Sequence, residues 1–337
     1  MKKIIFLILA LCFFGIGIAN ADICDLNQIY SPEFTYSVPR SLLESCLDGK
    51  YFDNKESYTT DEKMRIDEDL LSIYSSLNFG RSGESPLAVL TAGAPGSGKT
   101  VLMLRDLKMF GGKAAYIDPD DVSLKKMDST YQAGLQEQIA GLAKKTLFPE
   151  ERILAERRIR QEMYDKWRPA SNGINYILSA HLIKSKADFY FGMTASHPAT
   201  AIFFKFLKEQ GYRIRLLHLM TPDSVRWESV QQMDKVFLHT TEQDIIEKGF
   251  LVPQRILDTY LKYADEIEFY YRGAVQESAQ LAAVWVKEEM PCLKVLNPHA
   301  YDSIKKIHNA VCEKLNRPEL MWEKTVEEKS LPSVSPK

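Results

Sequence analysis

Neither sign of charge dominates this 337-residue chain: 43 Lys and Arg stand against 45 Asp and Glu. That balance excludes a protein-wide electrostatic footprint for nucleic acid or anionic membrane. Cysteine is scarce, five residues in all, and none lies in a CxxC or a Cys/His cluster, which argues against a zinc site. Long apolar runs are missing after Ile18, so no later stretch offers the roughly 20 residues a membrane-spanning helix needs. Repeats and low-complexity linkers are absent as well. With 45% hydrophobic, 26% charged and 11% aromatic residues, the chain is neither disordered, nor fibrous, nor a disulfide-held mini-protein. At about 150 residues per domain, one large or two modest domains fit.

The N-terminus carries a distinct segment. Lys2 and Lys3 precede an uncharged run from Ile4 to Ile18, and Ala19-Asn20-Ala21 puts small residues where a signal peptidase reads. The pattern predicts a signal peptide over 1–21, cleavage after Ala21, and export to the periplasm or the medium. An uncleaved anchor and a misassigned start are the alternatives. Cleavage would leave 41 basic against 45 acidic residues, a net charge of −4, and four cysteines: Cys24, Cys46, Cys292 and Cys312. Behind an export signal these suggest disulfides. The pairs that close short local loops are Cys24–Cys46 and Cys292–Cys312, with four free thiols as the alternative.

The remainder divides into an N-terminal helical extension (22–80), a core domain (81–272), a C-terminal helical region (273–323) and a flexible tail (324–337). In the extension, Thr60 is placed to cap a helix with Asp61 and Glu62 in its first turn and Leu70, Leu71 and Tyr74 on its apolar face. Leu87 to Ala92 reads as a buried parallel strand, and Ala114–Ile117, Phe189–Phe191, Ile214–Leu219 and Ile267–Tyr270 are further strand candidates. Helix-like stretches lie at 98–110, 150–167, 173–185, 198–210, 222–236 and 253–264, then at 274–290 and 299–316. This alternation predicts an α/β fold: a P-loop NTPase-type parallel sheet with helices on both faces, plus helical terminal extensions.

Gly93 to Thr100, GAPGSGKT, is a complete G-x-x-x-x-G-K-[ST] sequence between a predicted strand and a predicted helix. Its glycines let successive N–H groups turn into one concavity, and the following helix adds its partial positive charge. The loop Gly93, Ala94, Pro95, Gly96, Ser97 and Gly98, with Lys99, Thr100 and Val101, is therefore the expected nucleotide-binding segment. Lys99 would reach the β- and γ-phosphates, and the Thr100 hydroxyl would ligate Mg²⁺.

Two strand ends supply further candidates. Asp118, Asp120 and Asp121 follow the second strand, at the sheet edge where open α/β folds bind ligands. A carboxylate there suits proton acceptance from a hydroxyl, or Mg²⁺ binding, or is simply a solvated acidic turn. Thr194, Ser196 and His197 follow the next strand, where Ser196 equally suits a helix cap.

Four blocks together resemble the zeta-toxin family of P-loop kinases: GAPGSGKT; YIDPDD; the segment from Ala187 to Ser229; and GFLVPQRILDTYLKYADEIEFYY. They span about residues 84–272. The resemblance implies ATP- and Mg²⁺-dependent transfer of a phosphoryl group to a hydroxyl, with UDP-N-acetylglucosamine as the acceptor in well-known members. It implies Lys99, Asp120 and Arg226 as catalytic residues, with Asp120 as the base and Arg226 over the phosphates. Asp118 and Thr194 would lie on the substrate side, and an inhibitory antitoxin-like protein is a possible partner. The chain departs from the family pattern at Ser123, where an arginine is frequent, and at Val230 to Met233, where a second one is; Lys235 or Arg255 could compensate. A P-loop kinase with another acceptor, or an exported nucleotide-binding effector without transfer activity, stays open as an alternative.

Overall fold

A computed structural model describes residues 58–80, 85–111, 114–196, 200–234, 242–289 and 291–330. The segment expected as a signal peptide (1–21), Cys24–Cys46, His197 and Lys235 lie outside the described residues. Helix α1 (Thr60–Ser76) opens the fold, capped by Thr59, one residue before the expected cap, in a reciprocal capping box with Glu62. It buries Ile66, Leu70 and Ile73, while Leu71 stays exposed.

The core follows as β1 (Leu87–Ala92), α2 (Lys99–Met109), β2 (Ala115–Ile117), α3 (Ala133–Ala143), α4 (Pro149–Lys184), β3 (Phe189–Phe191), α5 (Thr200–Glu209), β4 (Arg213–Met220), α6 (Asp223–Asp234), α7 (Glu242–Arg255) and β5 (Glu266–Tyr271). Two strands, β6 (Gln280–Val286) and β7 (Cys292–Val295), and helix α8 (Pro298–Lys314) complete it. The strands form one seven-stranded sheet in the order β2-β3-β1-β4-β5-β6-β7. It is parallel through β5 and antiparallel thereafter. Alternate residues of β1 feed two cores: Ala88, Leu90 and Ala92 face one side, and Val89 meets Leu102 and Met103 of α2 on the other. Helices therefore cover both faces, as the unbroken apolar strands require.

Further local outcomes differ from the sequence reading, among them the expected flexible tail, whose residues 324–330 are helical with Thr325 and Val326 buried. The stretch 274–290, expected as helix, holds β6, whose Ala282, Ala283 and Trp285 are buried against β5. Helix α4 is continuous through Pro169, where two helices were expected. Proline removes an N–H and ordinarily breaks a helix, but contacts on both sides hold this one: the Tyr58 hydroxyl donates to the Lys166 carbonyl, and the Ser171 hydroxyl to that of Pro119. Finally, Cys292 and Cys312 are free thiols rather than a disulfide. Cys292 is exposed on the edge strand, while the buried Cys312 sulfur donates to the Leu320 carbonyl at 3.3 Å inside the C-terminal layer. Trp322 anchors that layer, its ring 4.9 Å from Phe269 of β5 and its Nε1 donating to the Tyr301 hydroxyl at 2.8 Å.

Candidate active site

The phosphate loop, the turns after β2 and β3, and the middle of α4 meet at the carboxyl end of the sheet. With Val230, Gln232, Met233 and Lys248 from α6 and α7 they enclose a cavity of about 800 Å³, within the range of small-molecule sites.

The loop between β1 and α2 is built for close backbone approach. Gly96 has φ +77°, and a Cβ there would stand 2.3 Å from the Arg226 carbonyl oxygen, so only glycine fits. The Gly93 N–H donates to the Thr194 carbonyl at 3.1 Å, joining the loop to the turn after β3. Lys99 Nζ donates to the Ala94 carbonyl at 3.0 Å. Burial, reinforced by the charges of Arg226 and Lys248 and opposed by Asp118 and Asp120, brings the Lys99 ammonium down to about 8. The Ser97 hydroxyl is buried with no partner among the described residues. The N-terminus of α2, an unpartnered hydroxyl and a desolvated ammonium fit a polyphosphate.

Asp118 organises the acidic turn. Its Oδ1 accepts the N–H groups of Asp120 and Asp121, each at 2.8 Å. Its other oxygen leans on Gly192, where an added Cβ would lie 2.0 Å away. Burial, then the charges of Asp120 and Asp121, push the Asp118 acid up to about 6, against the backbone N–H bonds that favour the ion. This buried carboxylate and Thr100, at the start of α2, line the same cavity, and a carboxylate with a hydroxyl suits a divalent cation.

Asp120 is half-exposed in the cavity and ion-paired with Arg168 of α4, at 2.8 Å from Nε and 3.4 Å from Nη2. Arg168 is itself held by the Tyr164 hydroxyl at 3.1 Å and by the Asn172 amide oxygen. Burial works against the guanidinium charge, but Asp120 and Tyr164 outweigh it and raise its pKa.

Of the expected residues, Pro95, Gly96, Lys99, Thr100, Asp118, Asp120 and Thr194 line the cavity. Gly93, Ala94, Ser97 and Gly98 shape the loop behind it. Val101 does not join them: its side chain is 73% exposed on α2. Arg226 is buried and lines a small depression away from the cavity. Its guanidinium donates to the Ile245 carbonyl at 2.8 Å and pairs with Asp223, so it acts on Lys99 only through its charge. Arg255 pairs with Asp258 at 2.9 Å and is likewise off the cavity. Ser196 sits with its hydroxyl 3.3 Å from that of Thr194, and α5 begins at Thr200. Ser123, in place of the family's arginine, is buried and donates to Asn175 at 3.4 Å.

Arg168, Lys125 and Lys248, the cations that line the cavity besides Lys99, were missed by sequence reasoning. Tyr164, Arg168 and Asn172 recur at four-residue spacing and so share one helix face. The break expected at Pro169 hid that spacing.

The phosphate loop follows β1 and the acidic turn follows β2, with β3 between those strands, so both lie at the carboxyl end of the parallel sheet, where open α/β folds bind ligands. Residues 73–236, just under half of the chain, match the family model described as Zeta toxin. Among solved structures, one from the PezAT chromosomal toxin–antitoxin system of Streptococcus pneumoniae is 18% identical, covering 78% of this chain and 98% of that one with a TM-score of 0.47. The AvrRxo1-ORF1:-ORF2 structure with ATP is 13% identical, covering 82% and 80% with a TM-score of 0.45. A native form of that complex is 13% identical, covering 91% and 98% with a TM-score of 0.44. A search of curated proteins finds no match.

Proposed function

We propose that this chain is an ATP- and Mg²⁺-dependent kinase that moves the γ-phosphoryl group onto a hydroxyl of a small metabolite, with UDP-N-acetylglucosamine the first acceptor to test. The observation that carries this reading is the arrangement of Lys99 and Asp120 on one cavity, lined by the phosphate loop and by the Asp120–Arg168 pair. Mg²⁺ would neutralise charge on the phosphate oxygens, and Thr100 with Asp118 are the residues placed to hold it. Lys99 binds the phosphates. Asp120 accepts the acceptor hydroxyl's proton at its carboxylate, Asp118 fixes the backbone beneath it, and Arg168 fixes the carboxylate's direction. The remaining lining, including Asn172, Asn175, Tyr176 and Met193, forms a mixed polar and apolar wall for the acceptor. The reading also includes export through residues 1–21 and, as the family resemblance implies, an inhibitory antitoxin-like partner.

The test is label transfer by residues 22–337 with γ-labelled ATP, Mg²⁺ and an acceptor panel headed by UDP-N-acetylglucosamine. Label on a nucleotide sugar supports the reading in full. ATP binding with no label on any acceptor favours the nucleotide-binding effector.

A pH dependence follows from Lys99. A lysine lowered to about 8 is charged below that pH and neutral above it, and a polyphosphate binds the charged form. ATP affinity should therefore be flat below about pH 7 and fall by up to about tenfold per pH unit above 8. Calorimetry between about pH 6.5 and 9.5 checks this, and at pH 8 the binding enthalpy should vary with buffer ionisation as protons are taken up. Constant affinity to pH 9.5 would place the Lys99 ammonium away from the phosphates.

A further inference from the structure

The inner arginines of this protein are paired with carboxylates: Arg168 with Asp120, Arg215 with Asp106 and Glu268, Arg226 with Asp223, and Arg255 with Asp258. Arg272 is different. It follows β5 directly, its N–H donates to the Met220 carbonyl at 3.1 Å, and its partly buried side chain returns to the phosphate loop. Nη1 lies 3.4 Å from the Gly96 carbonyl and 3.4 Å from the Ser229 hydroxyl of α6, and 3.0 Å from where a Cβ on Gly98 would stand. Nε and Nη2 donate to the carbonyls of Glu277 and Val275. Among the described residues no carboxylate forms an ion pair with it; Glu277 acts only at longer range.

That placement adds a positive charge to the phosphate loop. The guanidinium stands at the N-terminus of α2, the positive end of the helix dipole, on the same loop as the Lys99 ammonium. The carbonyls of Gly96, Val275 and Glu277 accept from the guanidinium, but no carboxylate among the described residues pairs with it. A bound anion would, and the Ser97 hydroxyl, buried without a partner in the same loop, marks a second unfilled bonding position. Arg272 does not line the cavity that holds Lys99, Thr100 and Asp120; it reaches the phosphate loop at the Gly96 carbonyl and beside Gly98. Its two contacts to Gly96 and Ser229 are long enough to be exchanged for shorter, charge-assisted ones.

We propose that Arg272 is a nucleotide-binding residue that grips the phosphate chain of a nucleoside di- or triphosphate beside Gly96 and Gly98 and, through Ser229, ties helix α6 to the filled loop. The inference rests on the nucleotide reading given above and assigns a residue to it that no part of the loop motif contains.

The experiment is calorimetric titration of wild type, Arg272→Ala and Arg272→Lys with Mg-ADP and, separately, with tripolyphosphate, which has no nucleoside. Arg272→Ala is expected to weaken both ligands about tenfold or more, as befits loss of a charge-assisted bond, while Arg272→Lys stays within about threefold of wild type. Equal affinity of wild type and Arg272→Ala overturns the proposal. So does a lysine variant as weak as alanine, which would make the side chain a strut acting through its fork geometry. Loss confined to ADP overturns it too, by moving the contact to the nucleoside. Failure of wild type to bind either ligand is a separate result: it removes the nucleotide reading itself, and this proposal with it.

Discussion

Replacing Asp120 with Asn is expected to cut phosphoryl transfer by about two to four orders of magnitude and to leave the ATP dissociation constant within about twofold. The asparagine keeps the side chain's size but cannot take a proton. The phosphate-binding groups, Lys99 and the loop amides, do not depend on it. Arg168→Gln alone should lower kcat about tenfold or more, since the carboxylate loses the guanidinium that orients it at 2.8 Å. The double variant settles how Arg168 acts. If it works through Asp120, Asp120→Asn/Arg168→Gln is no slower than Asp120→Asn alone, whereas two independent roles would multiply. Single-turnover rates with labelled ATP and, in parallel, nucleotide binding by calorimetry provide both readouts. Wild-type turnover in Asp120→Asn would move the base to Asp118, the other carboxylate of the turn.

The parts of this site that lie in consecutive residues are legible in the amino-acid sequence itself. GAPGSGKT specifies a loop whose function is carried by its own backbone, and the strand–turn–helix context follows from local patterning alone. Asp118 and Asp120 are similar, because a capping aspartate organises the residues two and three places on. Arg168 is illegible for a definite reason: Pro169 argues for a break on local grounds, while contacts from Tyr58 and Pro119, over a hundred and about fifty residues distant in sequence, brace the helix on either side and Trp167, Ala170 and Ile174 are buried in the core. Arg226 shows the reverse failure. The motif position matches, but the fold engages its guanidinium with Asp223 and the Ile245 carbonyl. Strand β6 reads as helix because an edge hairpin with Ala282, Ala283 and Trp285 inward shows only a short alternation, which a helical period imitates.

Arg215→Leu is expected to destabilise the fold by about 3–5 kcal/mol, the range for removing one partner of a buried ion pair. Arg215, on β4, holds Asp106 of α2 in a two-pronged pair at 2.8 and 2.9 Å, and Nε donates to Glu268 of β5 at 2.7 Å. Its side chain is 12% exposed and those of its partners 2% and 8%. The Tyr190 hydroxyl donates to Asp106 at 2.9 Å, and the Tyr270 hydroxyl donates to Glu268. A leucine would strand two carboxylates in that setting. Since whole domains are stable by about 5–15 kcal/mol, the loss is a large share of the total. Urea unfolding of the variant at neutral pH measures it. Restoring electrostatic neutrality should reverse much of the effect, so Arg215→Leu/Asp106→Leu/Glu268→Leu is expected to be more stable than Arg215→Leu despite carrying more substitutions. If the triple variant is worse than the single one, the network's worth lies in its geometry rather than in pairing buried charge. That geometry matters to the site as well. Asp106 lies two turns along α2 from Lys99, so the same network that pairs the charges pins the phosphate-binding helix to the strands at its back, and loosening it would blur the loop before the sheet itself came apart.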